Sequence, residues 1–361
     1  MQKNRNHTIW IFAVIAFAVL SLSFALRHGP AGDKAKTGKQ ATTPYVIFKF
    51  DDLSDRGTPW SGFKAITDVC KSKGIKCTLG IFGQTLERRD TGYLKYVGTI
   101  IHDPDVEIWM HGYNGAADEL LGDPAYQSWA FAKTRWNLIY YFDYLPRTFS
   151  PHWKSGDSCT VKAFLADPFY LTWPLYPPGE NFKGLLNSPC QLESGDTHYP
   201  DDLDRLKNNY DTCASGMSCL IFQGHPWAWD DAARVVFSQF VDYMKGKGAR
   251  FTTFYEYYKI MHQIKDATGP SVPGKLRLTR NTSQSIRLSW NPSADPESSV
   301  DGYKIYRNGV FVDMVPGTTY TDAPGMTLTD AVNYQVSAVN RANLVSAKCQ
   351  AVSLAGSGID K

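Results

Sequence analysis

The sequence predicts an α/β domain built on parallel strands, followed by a smaller all-β domain. Three short apolar runs each end in an acidic residue or a histidine, and strands and helices alternate between residues 44 and about 265. After residue 273 this alternation is replaced by short strands alone. At 361 residues the chain is also longer than one typical domain.

The three apolar runs are predicted to be strands of one parallel sheet. Each is four to six residues long and rich in β-branched and aromatic side chains. The runs and the residues that follow them are Tyr45–Phe50 with Asp51 and Asp52, Val106–Met110 with His111, and Cys219–Phe222 with His225. Because reactive groups of parallel sheets and barrels sit at the carboxyl ends of strands, we expect these side chains to form one site.

Further elements complete the predicted α/β domain. The periodicity predicts helices over residues 62–73, 126–144 and 230–247, and strands over residues 75–82 and 250–254. Between residues 153 and 211 proline, glycine, aspartate and aromatic residues dominate, so long loops and short elements are expected there.

The N-terminus predicts export. Two basic residues precede Ile9–Leu26, an almost uncharged run of eighteen residues, and Ser23–Ala25 has the small-x-small form of a signal-peptidase site. Residues 1–26 are therefore interpreted as a cleaved signal peptide or a retained membrane anchor. Residues 27–43, rich in lysine, glycine and threonine, are predicted to be a flexible tether.

All seven cysteines follow the tether, and six of them lie between residues 70 and 219. Disulfides survive in an exported protein, and pairing of sequence neighbours is one of fifteen connectivities for six cysteines. Neighbour pairing predicts Cys70–Cys77, Cys159–Cys190 and Cys213–Cys219. Buried free thiols are the alternative, and the spacing does not resemble a zinc ribbon.

Composition narrows the function only coarsely. The net charge is +3, which does not indicate a nucleic-acid partner. Aromatic residues make up 14% of the chain, as in proteins that stack on sugar rings, although a large aromatic core has the same composition.

The C-terminal part resembles fibronectin type III modules. Six short strands are predicted between residues 275 and 339, and Asn308-Gly309 predicts a type I′ hairpin. The matching stretches are Pro273, Leu288–Trp290, Asp301–Gly309 and Tyr334–Asn340. The resemblance implies a β-sandwich over residues 270–355, with Trp290 in its core and Tyr334 as the corner tyrosine. A spacer or binding accessory that folds independently of the first domain is expected.

Residues 44–266 resemble the polysaccharide deacetylase family, also called NodB-homology or carbohydrate esterase family four. The matching stretches are Phe48–Asp52, Ile75–Phe82, Glu107–Gly112, Leu220–Pro226 and Phe240–Phe254. They occur in the family's order and cover about 210 residues. The resemblance implies a distorted (β/α) barrel and a metal-dependent deacetylase.

Family resemblance also implies roles for individual residues. Asp51 would be the general base, Asp52 and His111 ligands of a divalent metal, with zinc expected, and His225 the acid that protonates the leaving amine. Such a metal polarises the acetyl carbonyl and acidifies a water molecule, and the two other groups move protons. In a regular strand Asp51 and Asp52 would point to opposite faces, so both reach one site only if the strand ends or twists there.

The sequence departs from the family pattern at two positions. Where the family has a second histidine, four residues after His111, this chain has Gly115. Asn114 is predicted to supply the third ligand, with water as the alternative. His152 resembles part of a third motif, but Ser150 replaces the arginine that tunes the base, and Arg147 is a candidate substitute.

The predicted function is removal of acetyl groups from an N-acetylated, less commonly an O-acetylated, polysaccharide. Trp153, Trp227, Trp229 and Tyr113 are predicted to contact the sugar. The expected partner is an acetylated glycan or cell-wall polysaccharide, bound by a secreted or cell-surface monomer that meets a membrane only through its N-terminal segment. A barrel glycoside hydrolase and a non-catalytic glycan-binding protein on a degenerate deacetylase fold are the alternatives.

Overall fold

The structure is a computed structural model that describes residues 43–55, 60–88, 90–154, 156–174, 185–186, 190–192, 200–215, 217–282, 284–323 and 331–354. The predicted signal peptide or anchor and nearly all of the predicted tether lie outside these residues. Among the described residues, no helix combines the length and the apolar character needed to span a bilayer.

Strands and helices alternate through the first part of the chain. The strands are β1 (Tyr45–Leu53), β2 (Cys77–Ile81), β3 (Val106–Met110), β4 (Trp173–Pro174), β5 (Leu185–Leu186), β6 (Cys190–Gln191), β7 (Cys219–Gly224) and β8 (Arg250–Phe251). The helices are α1 (Trp60–Ser72), α2 (Thr91–Ile100), α3 (Pro124–Phe142), α4 (Ser158–Ala166), α5 (Leu203–Ala214), α6 (Asp231–Gly246) and α7 (Phe254–Met261).

A parallel sheet in the order β3-β2-β1-β7-β6 forms the centre of this domain, and β8 pairs with the start of β1. An isolated parallel bridge between Met110 and Phe149 extends the sheet beyond β3, and a second bridge joins Thr148 to Thr172. Thr148 and Phe149 therefore lie between β3 and Thr172 and are joined to them by isolated bridges. Parallel strands joined through helices match the predicted fold class.

The two faces of the sheet carry different residues because side chains alternate along a strand. Val46, Phe48 and Phe50 pack with helices α1, α2, α5 and α6 in the largest apolar cluster. The opposite face holds a smaller cluster that includes Ile47 of β1 and Phe254 of α7. The odd-numbered positions of β1, β3 and β7 thus share one face of the sheet.

Most helices begin at a side chain that accepts backbone N–H groups. Asp123, Asp157 and Asp230 cap α3, α4 and α6 in this way, and Pro124 occupies the first turn of α3. Helices α4 and α5 begin between residues 153 and 211, where long loops and short elements were predicted, so this region is more helical than expected. The aspartate residues that cap these two helices are a sequence signal for the start of a helix, which hydrophobic periodicity did not provide.

The second part of the chain is a β-sandwich. Its strands are β9 (Gly274–Thr282), β10 (Ser285–Asn291), β11 (Val300–Arg307), β12 (Val310–Val315), β13 (Thr319–Asp322), β14 (Val332–Asn340) and β15 (Val352–Leu354). They form the sheets β13-β10-β9 and β12-β11-β14-β15. Trp290 and Tyr334 are buried between them, as predicted. The Tyr334 hydroxyl donates to the side chain of Asp322, 2.7 Å away.

The β11–β12 turn confirms the hairpin prediction. Asn308 and Gly309 both have positive φ, 50° and 81°. A type I′ turn requires positive φ at both central positions, and asparagine and glycine tolerate it better than other residues.

Contacts between the two domains are more extensive than expected of an independent accessory. Ile139, Leu145 and Phe169 of the first domain share an apolar cluster with Tyr306, Phe311, Met314 and Val339 of the sandwich. At Gly302 a Cβ atom would lie 2.6 Å from the Phe169 ring, so only glycine allows this approach. The interface therefore resembles the core of one compact unit.

The predicted disulfides are not formed between the cysteines whose side chains the structure describes. Cys70 and Cys77 are buried and in side-chain contact, but remain thiols. Cys213 is a free thiol that packs with the largest apolar cluster, whereas Cys219 packs on the other face of the sheet. The predicted Cys213–Cys219 disulfide is therefore not formed in the structure. Cys159 is a free thiol too, and the side chain of Cys190 lies outside the description.

Candidate active site

Strands β1, β3 and β7 place the residues of the candidate site on one face of the sheet, where β7 is next to β1 and β2 lies between β1 and β3. Along β1 the residues on this face are Ile47, Lys49 and Asp51; along β3 they are Trp109 and then His111 just beyond the strand; along β7 they are Ile221 and Gln223, with His225 following. Each series begins with a buried apolar side chain and ends in a polar one. The register pairs Lys49 with Gln223, which places the series side by side.

A local distortion brings Asp51 and Asp52 to the same site. The pairing of β1 with β2 shifts register between Phe50 and Leu53, and Asp52 adopts φ 72°. A positive φ at a non-glycine residue turns the strand, so the alternation of faces ends at Asp52. The strand therefore twists at Asp52, as is required for Asp51 and Asp52 to reach one site.

Asp52, His111 and His152 form a cluster of potential metal ligands. The Nε2 of His111 is 3.3 Å and the Nδ1 of His152 is 3.0 Å from Oδ1 of Asp52, and the two ring nitrogens are 3.3 Å apart. One donor atom of each residue lies within 4.8 Å of the others. This set of two imidazoles and one carboxylate matches the three protein ligands of catalytic zinc sites.

The backbone of Ser150 orients His111. Nδ1 of His111 is 2.8 Å from the Ser150 carbonyl oxygen. A carbonyl only accepts hydrogen bonds, so Nδ1 of His111 donates to it, and Nε2 is the ring nitrogen that faces Asp52. Ser150 thus contributes through its backbone at the position where the family pattern has an arginine side chain.

The electrostatics of Asp52 favour a bound cation. Burial alone would raise the pKa of Asp52, but neighbouring His111 and His152 hold it well below its usual range. Its Oδ1 atom is buried and has no well-formed hydrogen bond among the described residues. A divalent metal would satisfy this buried carboxylate oxygen together with the two ring nitrogens next to it, so the residues present fit the metal that the sequence predicts.

Asn114 does not share this cluster, although it was predicted as the third ligand. Its Nδ2 donates to the Tyr126 hydroxyl, 2.9 Å away, and its Oδ1 accepts from the N–H of Ala116 at 2.7 Å. Both polar atoms of the Asn114 amide therefore bond neighbouring residues. His152, and not Asn114, is the third member of the ligand cluster. His152 was noted in the sequence, but its distance of 41 residues from His111 hid the pairing.

Glu119 shapes the loop that follows His111. Its carboxylate accepts the backbone N–H groups of Tyr113, Asn114 and Gly115. Burial raises the pKa of Glu119 even though these three donors oppose the shift. One buried carboxylate thus holds the turn closed and keeps Asn114 and Gly115 away from the ligand cluster.

Asp51 lies beside the ligand cluster in a different setting. The Nζ of Lys49 is 2.6 and 2.5 Å from its two carboxylate oxygens, and the Nε2 of Gln223 donates to Oδ2 at 2.8 Å. Both Lys49 and Asp51 are 2% exposed. The sequence prediction missed Lys49 and Gln223; polar residues two positions before Asp51 and His225, on otherwise apolar strands, were the available signal.

Arg147 is not the substitute for the missing arginine of the family pattern. It is buried at the interface with the β-sandwich, with Nη1 2.9 Å from Oδ2 of Asp301. The positive charge next to Asp51 comes from Lys49 instead.

His225 and Trp227 close the other side of the cluster. The Nε2 of His225 is 3.9 Å from Oδ2 of Asp52, and the indole Nε1 of Trp227 donates to the same oxygen at 3.3 Å. Asp52 therefore faces the imidazoles of His111 and His152 with Oδ1 and the residues following β7 with Oδ2.

These groups line one cavity of about 510 Å³, a size suited to a small ligand or part of a polymer. The lining residues are Lys49, Asp51, Asp52, His111, Ser150, Pro151, His152, Trp153, Gln223, His225 and Trp227.

Of the four predicted sugar contacts, Trp153 and Trp227 line this cavity. Trp153 is 69% exposed and has φ 55°, a strained conformation for a tryptophan. Trp229 does not line it, because it is buried against Phe50 and Phe237. Tyr113 is also buried, with its hydroxyl bonded to Glu87 at 3.1 Å. The last two residues serve the core, as aromatic residues commonly do.

Comparison with known families identifies the C-terminal domain. Residues 271–347 match the model of the fibronectin type III domain, in agreement with the β-sandwich described above.

Curated relatives share part of the chain. Chitinase Chi52 of Paenibacillus xylanexedens is 37% identical over 190 residues, covering 53% of this chain and 31% of the chitinase. Chitinase A1 of Niallia circulans is 31% identical over 144 residues, covering 35% and 20%. The chain spans less than a third of the length of these relatives.

Solved structures resembling this chain include carbohydrate esterases of family four. The family-four domain of a multidomain xylanase from the hindgut metagenome of Trinervitermes trinervoides aligns with a TM-score of 0.44 and 14% identity, covering 62% of this chain and 93% of that domain. A family-four acetyl xylan esterase from Clostridium thermocellum, in complex with cobalt, gives 0.44 and 15%, with 61% and 93% covered. A family-four pseudoenzyme from Bacillus anthracis gives 0.45 and 15%, with 60% and 66% covered.

Proposed function

We propose that this protein is an exported, metal-dependent deacetylase that hydrolyses acetamido groups on a polysaccharide. The observation that supports this proposal most directly is the cluster of Asp52, His111 and His152 next to the buried Asp51. The cavity combines a potential metal site of three ligands, a neighbouring carboxylate and a further imidazole. These are the groups that metal-assisted hydrolysis requires. The apolar N-terminal run supports export.

Asp52, His111 and His152 would hold the divalent metal, with zinc expected from the donor set. When bound, such a metal polarises the acetyl carbonyl and makes a water molecule easier to deprotonate. Asp51 would accept the proton of that water. Its Oδ2 lies 3.7 Å from Nε2 of His111, close enough for both residues to act on one small group.

Lys49 and Gln223 would keep Asp51 ready for this step. The ammonium group of Lys49 pairs with the carboxylate of Asp51, and the amide of Gln223 fixes the orientation of its Oδ2 atom. Because a carboxylate only accepts hydrogen bonds, Gln223 must present its NH₂ group to Asp51.

His225 would protonate the leaving nitrogen as the carbon–nitrogen bond breaks. It lies across Asp52 from the two ligating imidazoles, on the cavity wall formed after β7. An imidazole is suited to this role because it exchanges protons near neutral pH. The exposed ring of Trp153 would stack on a sugar at the cavity mouth.

The proposal is tested by assaying acetate release from N-acetylated oligosaccharides by the purified protein. We expect turnover that a chelator abolishes and that added zinc or cobalt restores. Acetate release that is insensitive to complete metal removal would refute the metal-dependent mechanism. Metal binding without acetate release from N- or O-acetylated sugars would identify a glycan-binding relative that has lost catalysis.

A further inference from the structure

We infer that the fibronectin type III domain positions a metal ligand of the first domain rather than serving only as a spacer. The inference concerns residues 147–152, here called the His152 segment, and rests on the proposed role of His152. The segment carries His152 at one end and Arg147, which contacts the β-sandwich, at the other.

Arg147 is almost completely enclosed by residues of both domains. It is 1% exposed, its Nη1 forms an ion pair with Asp301, and its Nη2 donates to the Asn340 carbonyl oxygen at 2.8 Å. Its Nε donates to Oδ1 of Asn343. Within its own domain Arg147 donates to the Phe169 carbonyl oxygen at 3.2 Å. Three residues of the β-sandwich thus bind one guanidinium group.

The sandwich also holds the backbone at the start of the segment. Asn343 donates from Nδ2 to the Leu145 carbonyl oxygen, 3.2 Å away, while its Oδ1 accepts from Arg147. Asn343 has φ 67°, which places its short side chain at the turn where it bonds both residues. Removing a partner from a buried charge is costly, so Arg147 cannot leave these contacts without penalty.

Backbone hydrogen bonds hold the residues between Arg147 and the ligand cluster in place. The Phe149 N–H donates to the Thr172 carbonyl oxygen, and the Ser150 N–H donates to that of Met110, each at 3.0 Å. The Ser150 carbonyl oxygen then orients His111, and His152 follows two residues later. The segment is therefore held by isolated β-bridges at Thr148 and Phe149, with the contacts of Arg147 to the sandwich at one end and His152 at the other.

The experiment uses full-length protein with Asp301→Asn, which removes the charge, and Asn343→Gly, which removes the side chain at a φ that glycine tolerates. Zinc affinity is measured by competition with a chromogenic chelator. We expect about a 10-fold weaker affinity in each variant, the lower end of the effect of changing groups that orient ligands. Hydrogen exchange of the Phe149 and Ser150 amides should accelerate to a similar extent.

Two further variants separate positioning from general destabilisation. Asn343→Asp keeps the acceptor for Arg147 and should restore most of the zinc affinity lost in Asn343→Gly. Tyr334→Phe removes the hydrogen bond to Asp322 inside the sandwich, away from Arg147, and should leave zinc affinity and the two amides unchanged.

The outcomes are distinguishable. Wild-type zinc affinity and exchange in Asn343→Gly and Asp301→Asn would overturn the inference, as would an equal loss in Tyr334→Phe. If Asp301→Asn fails to fold, Asn343→Gly decides, because it leaves the ion pair in place. If the wild-type protein binds no zinc, the proposed function fails, and the exchange of Phe149 and Ser150 alone decides whether the sandwich holds the segment.

Discussion

Lys49 and Asp51 form a buried ion pair two residues apart on β1, with the ammonium nitrogen within 2.6 Å of both carboxylate oxygens. The alternation of side chains along a strand puts both residues on the same face, so the pair is built into the strand itself. It places a fixed positive charge beside the predicted base, a role that a distant arginine fills in the family pattern.

We predict that Lys49→Met destabilises the protein by about 3–5 kcal/mol, because the substitution leaves the Asp51 charge buried without its cation. Urea denaturation of metal-free protein measures the loss. The double variant Lys49→Met/Asp51→Leu should recover most of it, because replacing both charges by apolar groups leaves no charge unpaired. A loss below about 1 kcal/mol in the single variant would show that the pair matters little to stability.

Asp51→Asn should reduce acetate release by a factor of about 10²–10⁴, because the amide has nearly the same shape but cannot accept a proton. Zinc affinity should stay close to that of the wild type, since Asp51 is not one of the three clustered ligands. Both quantities are measured on the same purified protein. Full turnover by this variant would mean that another group is the base.

His152→Ala and Asn114→Ala form a matched test of the third ligand. His152→Ala should weaken zinc binding by at least about 10-fold, whereas Asn114→Ala should change it little, because the amide of Asn114 bonds Tyr126 and Ala116 instead. Chelator competition gives both affinities. If Asn114→Ala weakened zinc binding more than His152→Ala did, Asn114 would be the third ligand.

Glu107→Gln should change how stability depends on pH. Burial raises the pKa of Glu107, and its hydrogen bonds from Thr148 and the Tyr255 backbone only partly oppose this. The folded protein therefore favours the protonated carboxyl, and this stabilisation is fully present below the pKa of the unfolded carboxyl, about 4.5. The stabilisation is lost as pH rises through the higher pKa of Glu107 in the folded protein. Glutamine does not titrate, so the Glu107→Gln protein does not lose stability in this way as pH rises.

The free energy of unfolding of Glu107→Gln, relative to that of the wild type, should accordingly increase as pH rises from about 4.5 to the higher folded pKa of Glu107, and stay constant above it. Urea denaturation at several pH values, on metal-free protein, measures it. A constant difference between the two proteins across the range would show that Glu107 does not titrate differently on folding.

Oxidation is predicted to link Cys70 to Cys77, whose thiols are already in contact, and not Cys213 to Cys219. Burial, and secondarily Cys77, raise the pKa of the Cys70 thiol well above its usual range, so the reactive thiolate is scarce and an oxidase should be needed. Peptide mass spectrometry of exported protein identifies the links. A Cys213–Cys219 peptide would contradict the packing of these residues on opposite faces.

Local sequence patterns predict much of the architecture. The apolar runs at residues 45–50, 106–110 and 219–222 identify β1, β3 and β7, because short β-branched and aromatic runs suit buried strands. Asn308 and Gly309 identify a hairpin, because few residues tolerate its dihedral angles. Asp51, Asp52, His111 and His225 could be selected because each follows a strand of a parallel sheet.

Contacts between distant segments were decided only by the tertiary structure. His152 joins Asp52 and His111 because residues 147–150 lie beside β3, which no local pattern encodes. Trp153 and Trp229 were both predicted to contact the sugar, yet one is exposed at the cavity and the other is buried. Arg147 binds Asp301 across 154 residues of sequence. Local sequence determines conformation and periodicity, but the choice among partners depends on which surfaces the completed fold brings together and excludes from water.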